Sequence, residues 1–389
     1  MAEIEFVHLA DTHLGYRQYG LEERFKDWGK ATKQSVDYAV EKDVDMVIHS
    51  GDLFNSNKID QDALVQAFEI FEPLKKKDIP LLVIEGNHDR RRGRQKNTTM
   101  DVLDRLGYCT FLDPGGRDIS NAIYEIKEYN VIGLGYPGMY LKNWIDDYAE
   151  QLPENRKNNI ILLHAGVEGY IESMASHVTP SKLKELKQKS IYLALGHFHD
   201  SFQLDNWAFN PGSVERERFD RKEKSKIFYH VKIQDGVVEA EKVQLNTRNM
   251  FQFDLKANDN WKQVKTKLRE KVEAHDLEES MVRVRIFGKL ESEFKRWELE
   301  ELFGDEPLVL KIFDETYSEE KKSEWKGMES HEIEKDILVN YFENDFEDPE
   351  ALADFVRSIL DNILEKSLSS SDEAKPLAKD IANWRRDNL

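Results

Sequence analysis

The stretch Pro80-Leu81-Leu82-Val83-Ile84-Glu85-Gly86-Asn87-His88-Asp89 decides how the rest of the chain is read. Four large apolar residues in a row, entered through a proline and left through a glycine, predict a buried strand. The turn at its end presents an amide oxygen, an imidazole and a carboxylate to one point. These are hard-to-borderline ligands and proton carriers rather than packing groups. One such tetrapeptide says little alone; its weight comes from four similar strand ends elsewhere.

Working outward, residues 4–9 read as a strand ending at Asp11-Thr12-His13. Phe25, Trp28, Ala31, Ser35, Val36, Ala39 and Val40 recur at three- and four-residue steps and predict a helix. Residues 46–48 form the next strand, ending at His49-Ser50-Gly51-Asp52. Ala63, Leu64, Ala67, Phe68, Phe71 and Leu74 mark a second helix, closed by Lys75-Lys76-Lys77, where cations suit the C-terminal dipole. After strand 81–84 comes a helix near 98–106. Strand, helix, strand, helix, strand is the rhythm of a parallel sheet covered by helices.

Residues 123–126 and 131–134 predict a hairpin, and 140–152 a helix. Strand 159–163 ends at His164, and strand 191–195 ends at Gly196-His197-Phe198-His199. From 202 to 245 the pattern is short strands with turns, so the sheet turns antiparallel. The expected fold class is therefore α/β, a two-sheet sandwich over residues 1–247. A second rhythm follows: strand 251–255, a helix through Trp261, Val264, Leu268 and Val272, a strand in which Val282, Val284 and Ile286 alternate with Arg283 and Arg285, a helix at 294–303 and a strand at 308–313. That predicts a small α/β cap over 248–314. Residues 315–330 are charge-rich and read as a linker. Residues 331–389 carry three helical stripes. The second opens on Asp348-Pro349 and places Leu352, Phe355, Val356, Ile359, Leu360, Ile363 and Leu364 on one face. The third opens at Pro376.

The chain has 389 residues, enough for two or three domains, with 40% hydrophobic and 34% charged content. No apolar run approaches the ~20 residues needed to span a bilayer. The start of the chain lacks the pattern of a secretion signal, and a cytoplasmic location is expected. The single cysteine, Cys109, excludes an intrachain disulfide and a thiolate metal cluster and reads as apolar filler. A net charge of −19 argues against a general polyanion binder, while leaving room for local basic patches around a cation site.

Five strand ends thus carry Asp11 and His13; Asp52; Asn87 and His88; His164; and His197 and His199. In an α/β sheet, strand C-termini gather at one edge, where ligands bind. Residues i and i+2 of extended backbone point the same way, so Asp11/His13 and His197/His199 are each expected to chelate. Seven ligands suit two metals with one carboxylate shared, and Asp52, alone on its loop, is the natural bridge. Imidazoles with carboxylates and an amide fit Mn²⁺, Fe²⁺ or Zn²⁺. Two such ions activate water and clamp phosphoryl oxygens. His88 is left over, a candidate for touching the phosphate or protonating the departing oxygen. His8 and His49 lie inside strands and read as core groups. His177, His230, His275 and His331 lack strand-end context.

Asp11-Thr12-His13-Leu14-Gly15, Gly51-Asp52-Leu53-Phe54, Gly86-Asn87-His88-Asp89, His164-Ala165-Gly166 and Gly196-His197-Phe198-His199 resemble the calcineurin-like metallophosphoesterases. The Leu53-Phe54 pair and the downstream Asn210-Pro211-Gly212-Ser213 narrow the resemblance to the Mre-eleven/SbcD family of DNA double-strand-break repair nucleases. It covers residues 1 to about 245 by motif, and the cap and tail by order and size. The resemblance implies one metal held by Asp11, His13, Asp52 and His199, and another by Asp52, Asn87, His164 and His197. It implies two manganese ions and a catalytic His88. The implied activity is a 3′-to-5′ exonuclease on duplex DNA ends and an endonuclease on single strands or hairpins. It further implies a homodimer, formed here through helices 62–75 and 98–106, with a Rad-fifty-type coiled-coil ABC ATPase docked on the C-terminal helices. One departure stands out: Asn55 occupies a position where some members carry a histidine associated with exonuclease action. An amide can hydrogen-bond a phosphate or ribose but cannot shuttle a proton.

Arg90, Arg91, Arg92, Arg94 and Lys96 follow the ligand turn directly. Such a run is ordinarily a solvated face; beside the site it also suits a DNA backbone. Arg216, Arg218, Arg221, Lys222, Lys224 and Lys226 are diluted by acidic neighbours and read as surface. Rival functions on the same scaffold are a phosphomonoesterase or cyclic phosphodiesterase, and a non-enzymatic scaffold that tethers DNA ends.

Overall fold

The computed structural model describes residues 2–93, 95–170, 177–219, 225–318, 328–329, 332, 334–336, 338–339 and 348–366. Two six-stranded sheets dominate. The first contains β1 (Ile4–Leu9), β2 (Met46–His49), β3 (Leu81–Val83), β4 (Thr110–Phe111), β13 (Lys226–Gln234) and β14 (Val237–Leu245), in the order β14-β13-β1-β2-β3-β4. Strands β1 to β4 are mutually parallel; β13 pairs antiparallel with β1 and with β14. The second contains β5 (Ile123–Ile126), β6 (Tyr129–Gly133), β7 (Asn159–His164), β10 (Tyr192–Gly196), β11 (Phe202–Leu204) and β12 (Ala208–Asn210), in the order β11-β12-β10-β7-β6-β5. The small pair β8 (Gly166–Val167) and β9 (His177–Val178) lies outside both. The expected two-sheet α/β sandwich, its antiparallel turn after residue 202 and the 123–134 hairpin are all present.

The packing shows why these strands read as unbroken apolar runs. On β1, Ile4 and Phe6 face the core between the sheets, together with Met46, Ile48, Leu82 and Ile84. From the opposite sheet Ile160, Leu162, Tyr192 and Ala194 meet them. The alternate residues Val7, Leu9, Val47, Leu81 and Val83 face the other way, onto Trp28, Ala31, Phe71 and Leu74 of helices α1 (Glu22–Lys42) and α2 (Gln61–Lys76). On β7, Ile161 and Leu163 turn outward onto Leu141 and Ile145 of α4 (Leu141–Gln151). A strand buried on both faces has no polar side to show. Each large side chain so buried contributes about 1.5–3 kcal/mol.

Helix starts follow local chemistry. Asp60 caps α2 by accepting from the Ala63 amide at 2.9 Å, and Thr98 with Asp101 forms a reciprocal capping box on α3 (Thr99–Arg105). The short α5 (Lys184–Lys187) precedes β10.

After β14 come β15 (Met250–Lys256), α6 (Trp261–Glu273), β16 (Met281–Lys289), α7 (Arg296–Glu300) and β17 (Val309–Tyr317), the three strands forming one sheet in the order β15-β16-β17. The helix expected at 294–303 is only five residues long, and Lys295 offers no side-chain cap to its first turn. Strand β17 runs to Tyr317, past the expected start of the linker, and Arg285 grips Glu315 with two hydrogen bonds of 2.9 and 2.8 Å. The chain divides into two compact units: residues 1–253 with 275–283 and 303–311, and residues 254–274 with 284–302 and 312–389. In the tail, α8 (Pro349–Lys366) starts where Asp348 accepts from the Ala351 amide at 2.9 Å, with Leu352 and Ala353 buried. The third tail stripe, much of the first, and the side chains of Ile359, Leu360, Ile363 and Leu364 lie outside the described residues.

Candidate metal centre

The C-terminal ends of β1, β2 and β3 in one sheet, and of β7 and β10 in the other, supply every ligand-type residue singled out above. The first two loops are tied rung by rung: Asp11 N–H donates to Gly51 O at 3.1 Å, His13 N–H to Asp52 O at 3.1 Å and Leu14 N–H to Leu53 O at 2.9 Å. Strand ends approach so closely here, within the first sheet and between the two sheets, that a side chain is excluded at each of two points. A Cβ on Gly86 would stand 2.1 Å from Asp52 Oδ1, and one on Gly196 would stand 2.3 Å from Ser50 O.

The expected extended backbone at the i, i+2 pairs is not what the chain adopts. Asp11, His13, Asp52 and His197 have φ of 50°, 42°, 56° and 85°, in the left-handed region that L-residues avoid. The turn still brings Asp11 and His13 together, with His13 Nε2 4.0 Å from Asp11 Oδ1. His199 Nε2 lies 3.1 Å from His13 Nε2 and 3.9 Å from Asp11 Oδ1. His197 departs from His199 and turns to Asn87, its Nδ1 2.7 Å from Asn87 Oδ1. Asn87 Oδ1 is also 3.1 Å from His164 Nε2. Asp52 stands between the two groups: its Oδ2 is 4.0 Å from His13 Nε2 and 3.3 Å from His164 Nε2. His88 joins the first group, its ring edge-on to His13 with centroids 4.8 Å apart.

A further layer of groups sets which nitrogen faces inward. His164 Nδ1 donates to Ser50 O at 2.8 Å and His88 Nδ1 to Asn55 O at 3.0 Å; His199 Nδ1 donates to the Glu217 carboxylate at 2.8 Å. In each ring this leaves Nε2 for the pocket. Asp52 Oδ1 accepts from the His88 amide at 2.8 Å. Asp89 accepts from Gly86 N–H at 2.8 Å and Phe54 N–H at 3.1 Å, pinning the β2 and β3 loops together. Glu217 is a functional candidate that sequence reasoning passed over. Its segment is held by Gln18, which donates to Glu217 O at 2.5 Å, and by the buried Arg24, which reaches Arg216 O, Gln18 and Asp27. Lys226, read as surface, is buried and donates to His199 O at 2.6 Å.

From the protein groups alone, the pocket is an unstable mixture of charges. Burial pushes Asp11 up and His13 down to about 3. Burial works against charge on Asp52 and His164 too, but their contact wins, holding Asp52 well below the carboxylate range and lifting His164 to about 9. Burial, reinforced by Asp52, raises Asp89 to about 7. Inward-facing imidazole nitrogens, two carboxylates and an amide oxygen, 2.7–4.0 Å from one another, fit divalent cations. The Nδ1 of His13 is buried without a hydrogen-bond partner, while its Nε2 is the atom nearest Asp11, Asp52 and His199.

Other histidines have different surroundings. His8 is hydrogen-bonded to Tyr192 Oη and Ser50 Oγ, and His49 to Thr12 Oγ1; burial depresses both to about 3. His230 pairs with Glu5, and His275 packs on Phe251 and Phe253. The side chain of His177 and all of His331 lie outside the described residues.

The basic run is not uniform. Arg90 is exposed, its guanidinium 5.3 Å from the centre of the Tyr136 ring. Arg91 is engaged internally, with Asp113 at 2.9 Å and Asp101 at 3.2 Å. Exposed Arg92 donates to Asn87 O at 3.0 Å. Arg94, Arg221, Lys222 and Lys224 lie outside the described residues.

A family model described as calcineurin-like phosphoesterase matches residues 4–201, which include every candidate ligand. The chain belongs to that family, and it is an enzyme, a metal-dependent phosphoesterase. Its similarity to curated proteins is more particular. It is 25% identical over 350 residues to the "DNA double-strand break repair protein Mre11" of Sulfurisphaera tokodaii, covering 88% of each chain. It is 28% identical over 378 residues to the protein of the same name from Methanocaldococcus jannaschii, covering 92% of this chain and 95% of that one. The Saccharolobus solfataricus protein of that name is 33% identical over 201 residues, about half of each chain (52% and 51%). Within the family, the chain is of the Mre-eleven/SbcD-like kind.

Proposed function

We propose that this chain is a manganese-dependent DNA nuclease subunit of a double-strand-break repair complex, acting as a 3′-to-5′ exonuclease on duplex ends and an endonuclease on single strands and hairpins. The observation that carries the reading is the meeting of Asp11, His13, Asp52, Asn87, His164, His197 and His199 at one edge of two sheets, with His88 and Arg90 beside them. Asp11, His13, Asp52 and His199 would hold one Mn²⁺, and Asp52, Asn87, His164 and His197 a second. Bound there, the ions would supply Lewis acidity toward water and toward the phosphate oxygens. His88, fixed by its bond to Asn55 O, faces the site through Nε2 and gives a proton to the sugar oxygen as the P–O bond breaks. The contact uses the Asn55 backbone carbonyl, which any residue at this position would offer, so the Asn55 side-chain amide is left to hydrogen-bond the substrate. Arg90 and Arg92, which Arg91 and Arg94 adjoin in the sequence, attract the phosphate backbone.

The assembly is a homodimer bound to a Rad-fifty-type coiled-coil ABC ATPase. Exposed Val65 on α2 and Val102 and Leu106 at α3 supply an apolar dimer face. The apolar stripe read in the tail sequence, Leu352 to Leu364, is the docking element for the ATPase. No helix among the described residues is long and apolar enough to cross a membrane, and one buried cysteine suits the cytoplasm. Manganese titration with labelled hairpin and blunt duplex DNA, run beside p-nitrophenyl phosphate and its bis-ester, tests the reading. Manganese-dependent cleavage of DNA and the bis-ester is expected. Turnover of the monoester alone would make it a phosphomonoesterase, and DNA binding without any cleavage a tethering scaffold.

A further inference from the structure

Beside the ligand cluster runs a groove of about 290 Å³ walled by aromatic rings. At its inner end the Tyr136 ring packs against His164 and His197, 5.8 Å from each. Arg90 lies over the same Tyr136 ring. At its outer end Tyr140 stacks on Trp144, with centroids 5.1 Å apart and planes 11° from parallel. Trp144 also carries the Arg117 guanidinium, 5.5 Å from its centre. The turn through Gly115 and Gly116 also lines the groove, and its bare backbone lets a flat group come close.

Scattered exposed aromatics are ordinary on a protein surface. This pair differs in three respects. Tyr140 remains 59% exposed although Trp144 stacks against it, so a broad ring surface is presented to solvent. One of its lining rings, Tyr136, packs directly against the rings of two candidate metal ligands. Arg90 lines it, and Arg117, paired with Asp147, lies over its Trp144 ring; of the two carboxylates that also line it, Glu85 and Asp113, the second is engaged by Arg91, so cations are at hand for a phosphate backbone in a chain whose net charge is −19. Aromatic faces that accept any base, alternating with cations that track a backbone, are the physical requirements for holding unpaired nucleotides.

We propose that this groove is a subsite for single-stranded DNA, in which an unpaired base stacks on Tyr140 and the adjoining phosphates pass Arg90 and Tyr136 toward the metal centre. The inference rests on the nuclease reading and adds to it the path of the strand. A duplex end whose bases remain paired cannot enter; a frayed end, a single strand or a hairpin loop can. Selection between paired and unpaired substrates then lies in this groove.

The test is fluorescence anisotropy of a short single-stranded oligomer and of the same oligomer with abasic sugars, on wild-type protein, Tyr140→Ala and Tyr140→Phe, in calcium so that no strand is cut. Wild type should bind the oligomer with bases about tenfold more tightly than the abasic one. Tyr140→Ala should lose that advantage and Tyr140→Phe keep it, since the ring and not the hydroxyl is at work. Equal affinity of wild type for the two oligomers overturns the subsite without any variant, as does Tyr140→Ala binding like wild type, or Tyr140→Phe failing as Tyr140→Ala does. Manganese-dependent hydrolysis of bis-p-nitrophenyl phosphate by wild type, run in parallel, separates the two readings. With hydrolysis present and no preference for bases, only the subsite falls; with neither hydrolysis nor DNA binding, both fall.

Discussion

The two sheets contribute unequally to one pocket. The sheet built on β1, β2 and β3 supplies all the oxygen donors, Asp11, Asp52 and Asn87, together with His13 and His88. The sheet built on β7 and β10 supplies imidazoles alone, His164, His197 and His199. The first set is fixed through backbone, loop hydrogen-bonded to loop. The second is fixed through its rings, by Ser50 O, Asn87 Oδ1 and Glu217. One sheet thus holds the charge and the geometry, and the other takes its orientation from groups outside itself. Charge in such a pocket cannot be replaced, whereas orientation can be lost by degrees.

The sharpest way to break this comparison is Asp52→Asn. It keeps shape and hydrogen-bonding but removes the charge shared by the two groups. Several kcal/mol of charge stabilisation should go with it, on the order of a thousandfold or more in bis-ester turnover. A variant within tenfold of wild type would show that the first sheet's charge is dispensable. His88→Gln should come next. Turnover should drop by about a hundredfold or more, while manganese stoichiometry by calorimetry stays at the wild-type value. Loss of bound manganese instead would move His88 from proton carrier to ligand. Glu217→Gln sharpens the contrast, since it weakens a ring's support without touching a donor. Manganese affinity should fall by about ten- to a hundredfold, with the fold intact by circular dichroism. No change would mean that the second sheet orients its own rings. The smallest effect should be at Cys109, buried on the first sheet's helical flank, where burial pushes the thiol up. Iodoacetamide should leave it unmodified by mass spectrometry until denaturant is added, with turnover unaffected.

Legibility in the sequence followed the same divide. Residues 4–9, 46–48, 81–84, 159–163 and 191–195 announced themselves because burial on two faces leaves a strand no polar alternation. Their ends stood out because polar groups broke off each run at once. The groups that orient the pocket left no such mark. Glu217 sits among Arg216, Arg218 and Glu215 and looks like any solvated mixture. Only the fold brings it to His199 and brings Gln18 and Arg24 beneath it. Lys226 and Arg91 read as available cations, but a carbonyl and two carboxylates respectively engage them. The assumption of extended backbone at Asp11 and His13 failed because the loops curl to meet the neighbouring strand's loop.

Those curled loops have a cost for the rest of the molecule. Asp11, His13, Asp52 and His197 each hold a backbone conformation worth roughly 1 kcal/mol or more in the wrong direction. The surrounding sheets must therefore be more stable than folding alone would require. Replacing Asp52 with glycine would relax its share, but it would strand the His88 amide and the buried His164 ring that its carboxylate now answers. The carboxylate that makes the loop costly is thus also what holds the loop in that shape.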